Sequence, residues 1–265
     1  MNDADSVRIS RTLRQRMMVD HLSGVTAATA AELAALTGMS LMTVHRDIDD
    51  LARRGILRKF HGGVSVLPTT VFESSSEFRL QTQTIAKSAL AVVALGMIEP
   101  GMSVMIDDST TVLALARLLN NVGPLTVITN YRQAIEEFRD NDDIRLIVAG
   151  GQYSRTHDSF IAMPGYSSVE AYAVDLVFQS TSTMGDSMTY HQEQEIVLMK
   201  RAMLHSGTRR VLMMDASKVG RTSLHHYVPV SDFTDVILTD DVDPEMVERI
   251  AQHAAVHLAP VGAAD

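Results

Sequence analysis

From residue 85 to residue 254 the chain alternates between short apolar runs rich in Val, Ile, Leu and Met and longer segments with helical spacing. This alternation predicts helix 85–98, strand 103–106, helix 110–119, strand 125–129, helix 131–138 and strand 144–148. It resumes with strand 174–178, helix 193–206, strands 210–214 and 236–239, and helix 244–254, which Asp243 caps and Pro244 opens. A strand that leads through a helix into the next strand pairs with it in parallel, and a parallel sheet needs helices on its faces. The pattern therefore restricts this part of the chain to an open, mostly parallel α/β domain. No internal repeat interrupts it.

The first 66 residues have another rhythm. Ile9, Leu13, Met17, Met18 and Leu22 form one apolar stripe on a helix over 8–22, and Gly24 ends it. Thr29 with Glu32 makes a capping box for a short helix over 30–36. Gly38 allows a tight turn, and Ser40 caps a third helix that runs to Arg54. On that helix Val44, Ile48 and Leu51 face inward, leaving Thr43, Arg46, Asp49 and Asp50 outward with His45 at the edge. Residues 56–60, 61–63 and 64–66 read as strand, turn and strand. The expected division is a winged helix-turn-helix over 1–66, a linker over 67–84 signalled by Pro68, two threonines and three serines, and the α/β domain over 85–265.

Charge sharpens this division. The chain carries a net charge of −9. Residues 1–67 nevertheless hold nine Lys and Arg against seven Asp and Glu. A small basic module ahead of an acidic bulk suits a polyanionic partner, double-stranded DNA, with the third helix in the major groove. Ser40, Thr43, His45 and Arg46 are then the groove-facing residues, Arg58 and Lys59 meet phosphates, and His61 and Gly62 shape the wing. A protein-interaction module of the same shape remains open on periodicity alone. With no cysteine, disulfides, thiolate metal sites and a Cys nucleophile are excluded, and a reducing cytoplasm fits. The longest apolar run, Ala89–Ile98, has ten residues, about half a membrane span, and the start carries no signal-peptide pattern.

Three loops at carboxyl ends of the expected strands hold the polar chemistry of the larger domain. Asp107, Ser109, Thr110 and Thr111 open a helix, where free N–H groups and the dipole favour an anion, although Ser and Thr are also ordinary caps there. Asn130 ends the next strand, and Gly150-Gly151 follows the one after; a lone Gly-Gly is more often a turn than a site. Asp215, Ser217 and Lys218 stand past a fourth strand, with Lys200 in the preceding helix. Cations for a phosphate and carboxylates for hydroxyls suit a small phosphorylated polyol. The ten histidines are scattered, His225-His226 reading as solvated loop residues, so no metal is expected, and no cofactor either. Met17, Met18, Met39 and Met42 read as adaptable filling in or beside the small core.

These residues carry a resemblance. Thr43-Val44-His45-Arg46-Asp47-Ile48, with Leu51, Gly55, Leu57, Arg58 and His61-Gly62-Gly63 behind it, is similar to the DNA-binding module of the DeoR family of bacterial repressors. That family has Thr-Ile-Arg-Arg-Asp-Leu on the recognition helix and Arg-x-His-Gly-Gly-Ala in the wing. Asp107–Thr111, Thr126–Asn130, Gly150-Gly151, Asp175–Phe178, Lys200 and Asp215–Lys218 resemble the segments of its effector domain in the same order. The resemblance implies a sensor similar to ribose-5-phosphate isomerase that binds phosphorylated sugars without turning them over. It makes Asp175 a further effector-site residue, and Asp47 a structural partner of an arginine. His45 departs from the family's arginine, Val64 from its alanine, Ser109 from its glycine and Ile196 from its glutamate. The resulting expectation is a sugar-responsive repressor of a carbohydrate operon that binds operator half-sites as a homodimer or homotetramer. The rival is a sugar-phosphate isomerase with an appendage, in which Asp107, Asp175, Asp215, Lys200 and Lys218 supply acid and base.

Overall fold

The computed structural model describes residues 9–25, 27–53, 56–66, 76–161 and 169–262. The chain divides into two compact units, 1–82 and 83–265. In the first, helices α1 (Arg11–Gly24), α2 (Ala30–Thr37) and α3 (Leu41–Arg53) precede strands β1 (Leu57–Phe60) and β2 (Gly63–Val66). Local chemistry sets these boundaries. Ser10 caps α1, and Thr29 and Glu32 complete the capping box of α2. Gly38 closes α2 at φ 67°, a left-handed conformation that glycine adopts without cost. The turn between β1 and β2 uses Gly62 at φ 92°, and β2 also bridges to Ala28 ahead of α2.

Val44, Ile48 and Leu51 of α3 pack with Met18, Val19, Leu22, Leu33, Leu57 and Val64 into one core. The stripe of α1 differs from its expected position: Leu13 is exposed, and the buried line runs through Gln15, Met18, Val19 and Leu22. The reason is polar. Asp47 of α3 is buried and needs donors, so α1 turns Arg14 and Gln15 toward it. Asp50, expected outward, also faces α1 and accepts from Gln15 and Arg11.

Helix α4 (Ser76–Gln81) falls inside the stretch expected to be linker; Glu, Arg, Leu and Gln favour a helix once the serine run ends. Residues 67–75, with the rest of that expectation, lie outside the described residues.

The second unit is built on a seven-stranded sheet in the order β14-β13-β11-β8-β3-β4-β5, every neighbouring pair parallel. Its strands are β3 (Ser103–Ile106), β4 (Leu125–Thr129), β5 (Ile144–Val148), β8 (Val174–Gln179), β11 (Gly207–Met214), β13 (Asp235–Thr239) and β14 (Ala255–Ala259). Helix α5 (Thr84–Leu95) precedes the first of these strands, and α6 (Thr110–Leu119), α7 (Arg132–Phe138), α8 (Gln194–His205) and α9 (Pro244–Ile250) lie in the crossovers. The expected helix to 254 is thus a shorter helix followed by an edge strand, whose alanines carried no strand signal.

Two small sheets escaped the sequence reading. Strands β6 (Gln152–Ser154) and β7 (Ser159–Ile161) form a hairpin, and β9 (Thr183–Met184), β10 (Met188–His191) and β12 (His225–Pro229) an antiparallel trio. Their strands of two to five residues are too short to display alternation. His225 and His226, expected in a loop, lie in β12.

At the amino ends of β11, β13 and β14, Asp235 accepts both fork nitrogens of Arg209 at 2.8 and 2.7 Å and the Thr234 hydroxyl at 2.7 Å, with the His257 ring at 2.7 Å. The guanidinium fork holds this carboxyl far below the usual carboxylate range, against the opposing effect of burial. A depressed carboxyl stabilises the fold above its unfolded pKa of about 4 and loses that contribution as pH falls toward the folded value. The stability gap between wild type and Asp235→Asn should therefore be full at neutral pH and shrink steadily below about pH 4 in denaturant titrations. A gap constant down to about pH 2.5 would place this stabilisation elsewhere.

Candidate functional site

The outward face of α3 is open. Ser40 caps the helix by accepting from the Thr43 N–H at 3.3 Å, so its hydroxyl is committed to the backbone. Thr43 is half-buried, while His45 and Arg46 are exposed. Arg58, Lys59, His61 and Gly62 are exposed on β1 and its turn. Lys59 departs from the expectation of a free phosphate partner: its ammonium pairs with Asp49 of α3 at 2.5 Å. That hydrogen bond holds the Asp49 carboxyl below its ordinary pKa. Arg46 and Arg58 then carry the positive face. Asp47 is fully withdrawn, bonded to Arg14 and Gln15, and orients α3 rather than facing outward.

The second site stands at the carboxyl ends of β3, β8 and β11. Asp107 follows β3 and is buried, and each of its oxygens is occupied. Oδ1 accepts from the Ser109 N–H at 3.0 Å; Oδ2 accepts from the Ser180 N–H at 3.0 Å and from Lys200. Lys200, buried on α8, also lies 3.3 Å from Asp108, which accepts from the Ser159 hydroxyl at 2.7 Å. A buried ammonium is tolerable only with such partners, and the two carboxylates need it equally.

A second cation stands beside this pair. Lys218, on the 3-10 turn after β11, donates to Thr111 at 3.1 Å and to Ser180 at 3.2 Å and lies 3.3 Å from Asp215. Its side chain is 22% exposed, so it meets solvent where Lys200 does not. Burial pushes the Asp215 carboxyl up, but Lys218 and the Ser217 hydroxyl outweigh that, holding it below its ordinary value. Ser109 uses its hydroxyl to cap α6 through the Val112 N–H, the ordinary role for that residue type. Thr110 is buried in the first turn of α6. Asn130 follows β4; its amide donates to the Phe160 carbonyl at 3.0 Å, while its buried Oδ1 accepts no hydrogen bond from the described residues. Gly150 and Gly151 are exposed just past β5.

Asp175 does not join them. It lies at the amino end of β8, bonded to the N–H and hydroxyl of Ser103 at 2.8 and 2.6 Å, roughly 13–16 Å of strand away from the cluster. Its place near the beginning of a strand, not past its end, keeps it apart from the other candidates. Ser180 and Asp108 were missed, although the polar run Gln179–Thr183 after β8 was a legible signal. His157 and Glu193, paired at 2.9 Å, were also beyond the reading of the residues, because they meet through the unforeseen β6–β7 hairpin. Among the described residues no group of three His, Cys, Asp or Glu is placed to hold a metal ion.

The family model of the DeoR C terminal sensor domain matches residues 82–241, and that of the DeoR-like helix-turn-helix domain matches residues 14–70. The chain belongs to the DeoR family. It is 25% identical to the putative aga operon transcriptional repressor of Escherichia coli O157:H7, over 94% of this chain and 93% of that one. It is 24% identical to the L-fucose operon activator of Haemophilus influenzae, over 91% and 96%. Ribose 5-phosphate isomerase A from Methanocaldococcus jannaschii overlaps 51% of this chain and 53% of its own at 14% identity and a TM-score of 0.34, too slight a likeness to bear on chemistry. This DeoR-family protein is a DNA-binding transcriptional regulator: its two domains match a helix-turn-helix domain and a sensor domain, and its relatives are named as transcriptional regulators or repressors. No helix among the described residues is long and apolar enough to cross a membrane.

The two lysines of the cluster should behave differently on removal. Lys200→Ala leaves Asp107 and Asp108 buried without their cation and should destabilise the sensor domain by about 3–5 kcal/mol. Lys218→Ala removes an ammonium that meets water but leaves the buried Asp215 without it, so it should cost less than Lys200→Ala, about 1–3 kcal/mol. Urea unfolding of the full-length proteins distinguishes the two, and equal losses would refute the division of roles.

Proposed function

We propose that this regulator represses a carbohydrate operon and that a phosphorylated sugar bound at the sheet's carboxyl edge modulates its grip on the operator. One observation carries the reading. The Lys218 ammonium, open to solvent, stands against the first turn of α6, where the helix dipole and a hydroxyl already favour an anion. Asn130 supports it, since a buried acceptor without a donor among the described residues is costly and a ligand hydroxyl would satisfy it. Two relatives named for operons, one of them an L-fucose operon, support the carbohydrate class. The second of these is an activator, so the direction of control belongs to the proposal.

In this reading Lys218 takes the phosphate beside Thr111 at the positive end of the α6 dipole, and Asn130 and the Gly150-Gly151 backbone take hydroxyls. Asp107, Ser109, Thr110, Lys200 and Asp215 hold the frame. On α3, Arg46 reads a base and Thr43 and His45 flank it; Arg58 and the wing residues His61 and Gly62 follow a phosphate strand, with Lys59 held to Asp49. One winged module touches few phosphates, so a homodimer or homotetramer on paired half-sites supplies the affinity.

The test uses full-length protein. A panel of pentose and hexose phosphates should contain one that raises the melting temperature of the wild type and not of Lys218→Ala. In anisotropy titrations with its own upstream DNA, Arg46→Ala should lose about 1–3 kcal/mol of binding. Operator binding with a flat response to the whole panel would end the sugar-phosphate reading.

A further inference from the structure

Met42 departs from the core-filling role expected of it. It is 74% exposed and Leu41 beside it 52%, while Val44 and Ile48 of the same helix are buried. Single exposed apolar residues are common and need no explanation. The position of this one is what matters. His45, Arg46 and Asp49 lie three, four and seven positions after Met42, which places the four on one face of α3. That face is opposite the core, and Met42 is its member nearest the helix N-terminus, the end that meets base edges when a helix of this type enters the major groove.

The polar members of the face limit what it can read. Asp49 is paired with Lys59, and Arg46 and His45 are the donors available to a base. Neither recognises the one apolar feature of the major groove, the thymine C5-methyl group. A flexible, polarizable thioether side chain standing in water does, because the contact removes apolar surface of both partners from solvent.

We infer that Met42 is a specificity-determining residue of the recognition helix, and that it selects thymine at one position of each half-site by packing on its methyl group. The inference rests on the operator-binding reading of the first domain.

Thymine and uracil differ only in that methyl group, which makes deoxyuridine the probe. Duplexes enriched by the full-length protein from a random pool are resynthesised with each thymine replaced in turn by deoxyuridine, and affinities are read by fluorescence anisotropy. Wild type should lose about four-fold at one position per half-site, the worth of one buried methyl group. Met42→Ala should bind the unmodified duplex more weakly and become indifferent to the replacement at that position. Met42→Leu should keep the discrimination. Wild-type binding unaffected by every replacement, or an equal loss for wild type and Met42→Ala at each, overturns the inference while leaving operator binding intact. Failure of the wild type to enrich any duplex overturns the operator-binding reading itself.

Discussion

Lys200 is the constraint on which the sensor domain depends. Its ammonium is buried between Asp107 and Asp108. Three groups that would each be prohibitive alone in that environment become acceptable together, provided that α8 and the loop after β3 keep a fixed distance. The rest of the site follows. Asp107, held by Lys200, fixes the Ser109 and Ser180 N–H groups. Ser109 in turn caps α6, and the Ser180 hydroxyl accepts from Lys218. The accessible cation is thus positioned by an inaccessible one.

The first domain solves its own orientation problem with related chemistry. Asp47 on the inner side of α3 is bonded to Arg14 and Gln15 of α1, which fixes the rotation of the recognition helix about its axis. With that rotation set, Val44, Ile48 and Leu51 fill the core, and His45 and Arg46 are left outward. In both domains a buried aspartate serves geometry, and the neighbouring Lys218 or Arg46 is left accessible.

How far all this could be read from residues alone varied with length and periodicity. The parallel sheet was legible because each of its long crossovers repeats the same apolar logic, and the winged module because caps and glycines mark its turns. The β6–β7 hairpin was not, since Gln152, Tyr153 and Ser154 carry no alternation and the strand exists only through pairing with Ser159–Ile161. Most of the site's loops could be named from strand ends. Asp175 failed that test, because a carboxylate near a strand's first residue lies at the opposite end of a parallel sheet. The pairing of Lys59 with Asp49 was hidden for another reason: the wing returns to α3 across ten residues, and sequence spacing does not show which charges meet.

The hairpin's attachments have an implication of their own. Asp108 accepts from Ser159, Asn130 donates to Phe160, and Glu193 meets His157, so one short strap is tied to the loops after β3 and β4 and to the start of α8. Asp108 lies within reach of both Ser159 and Lys200. Any rearrangement that drew Asp108 toward the lysine would slacken the tether, and a slackened tether would in turn free the carboxylate. By reciprocity the two events carry a single coupling free energy, whichever comes first.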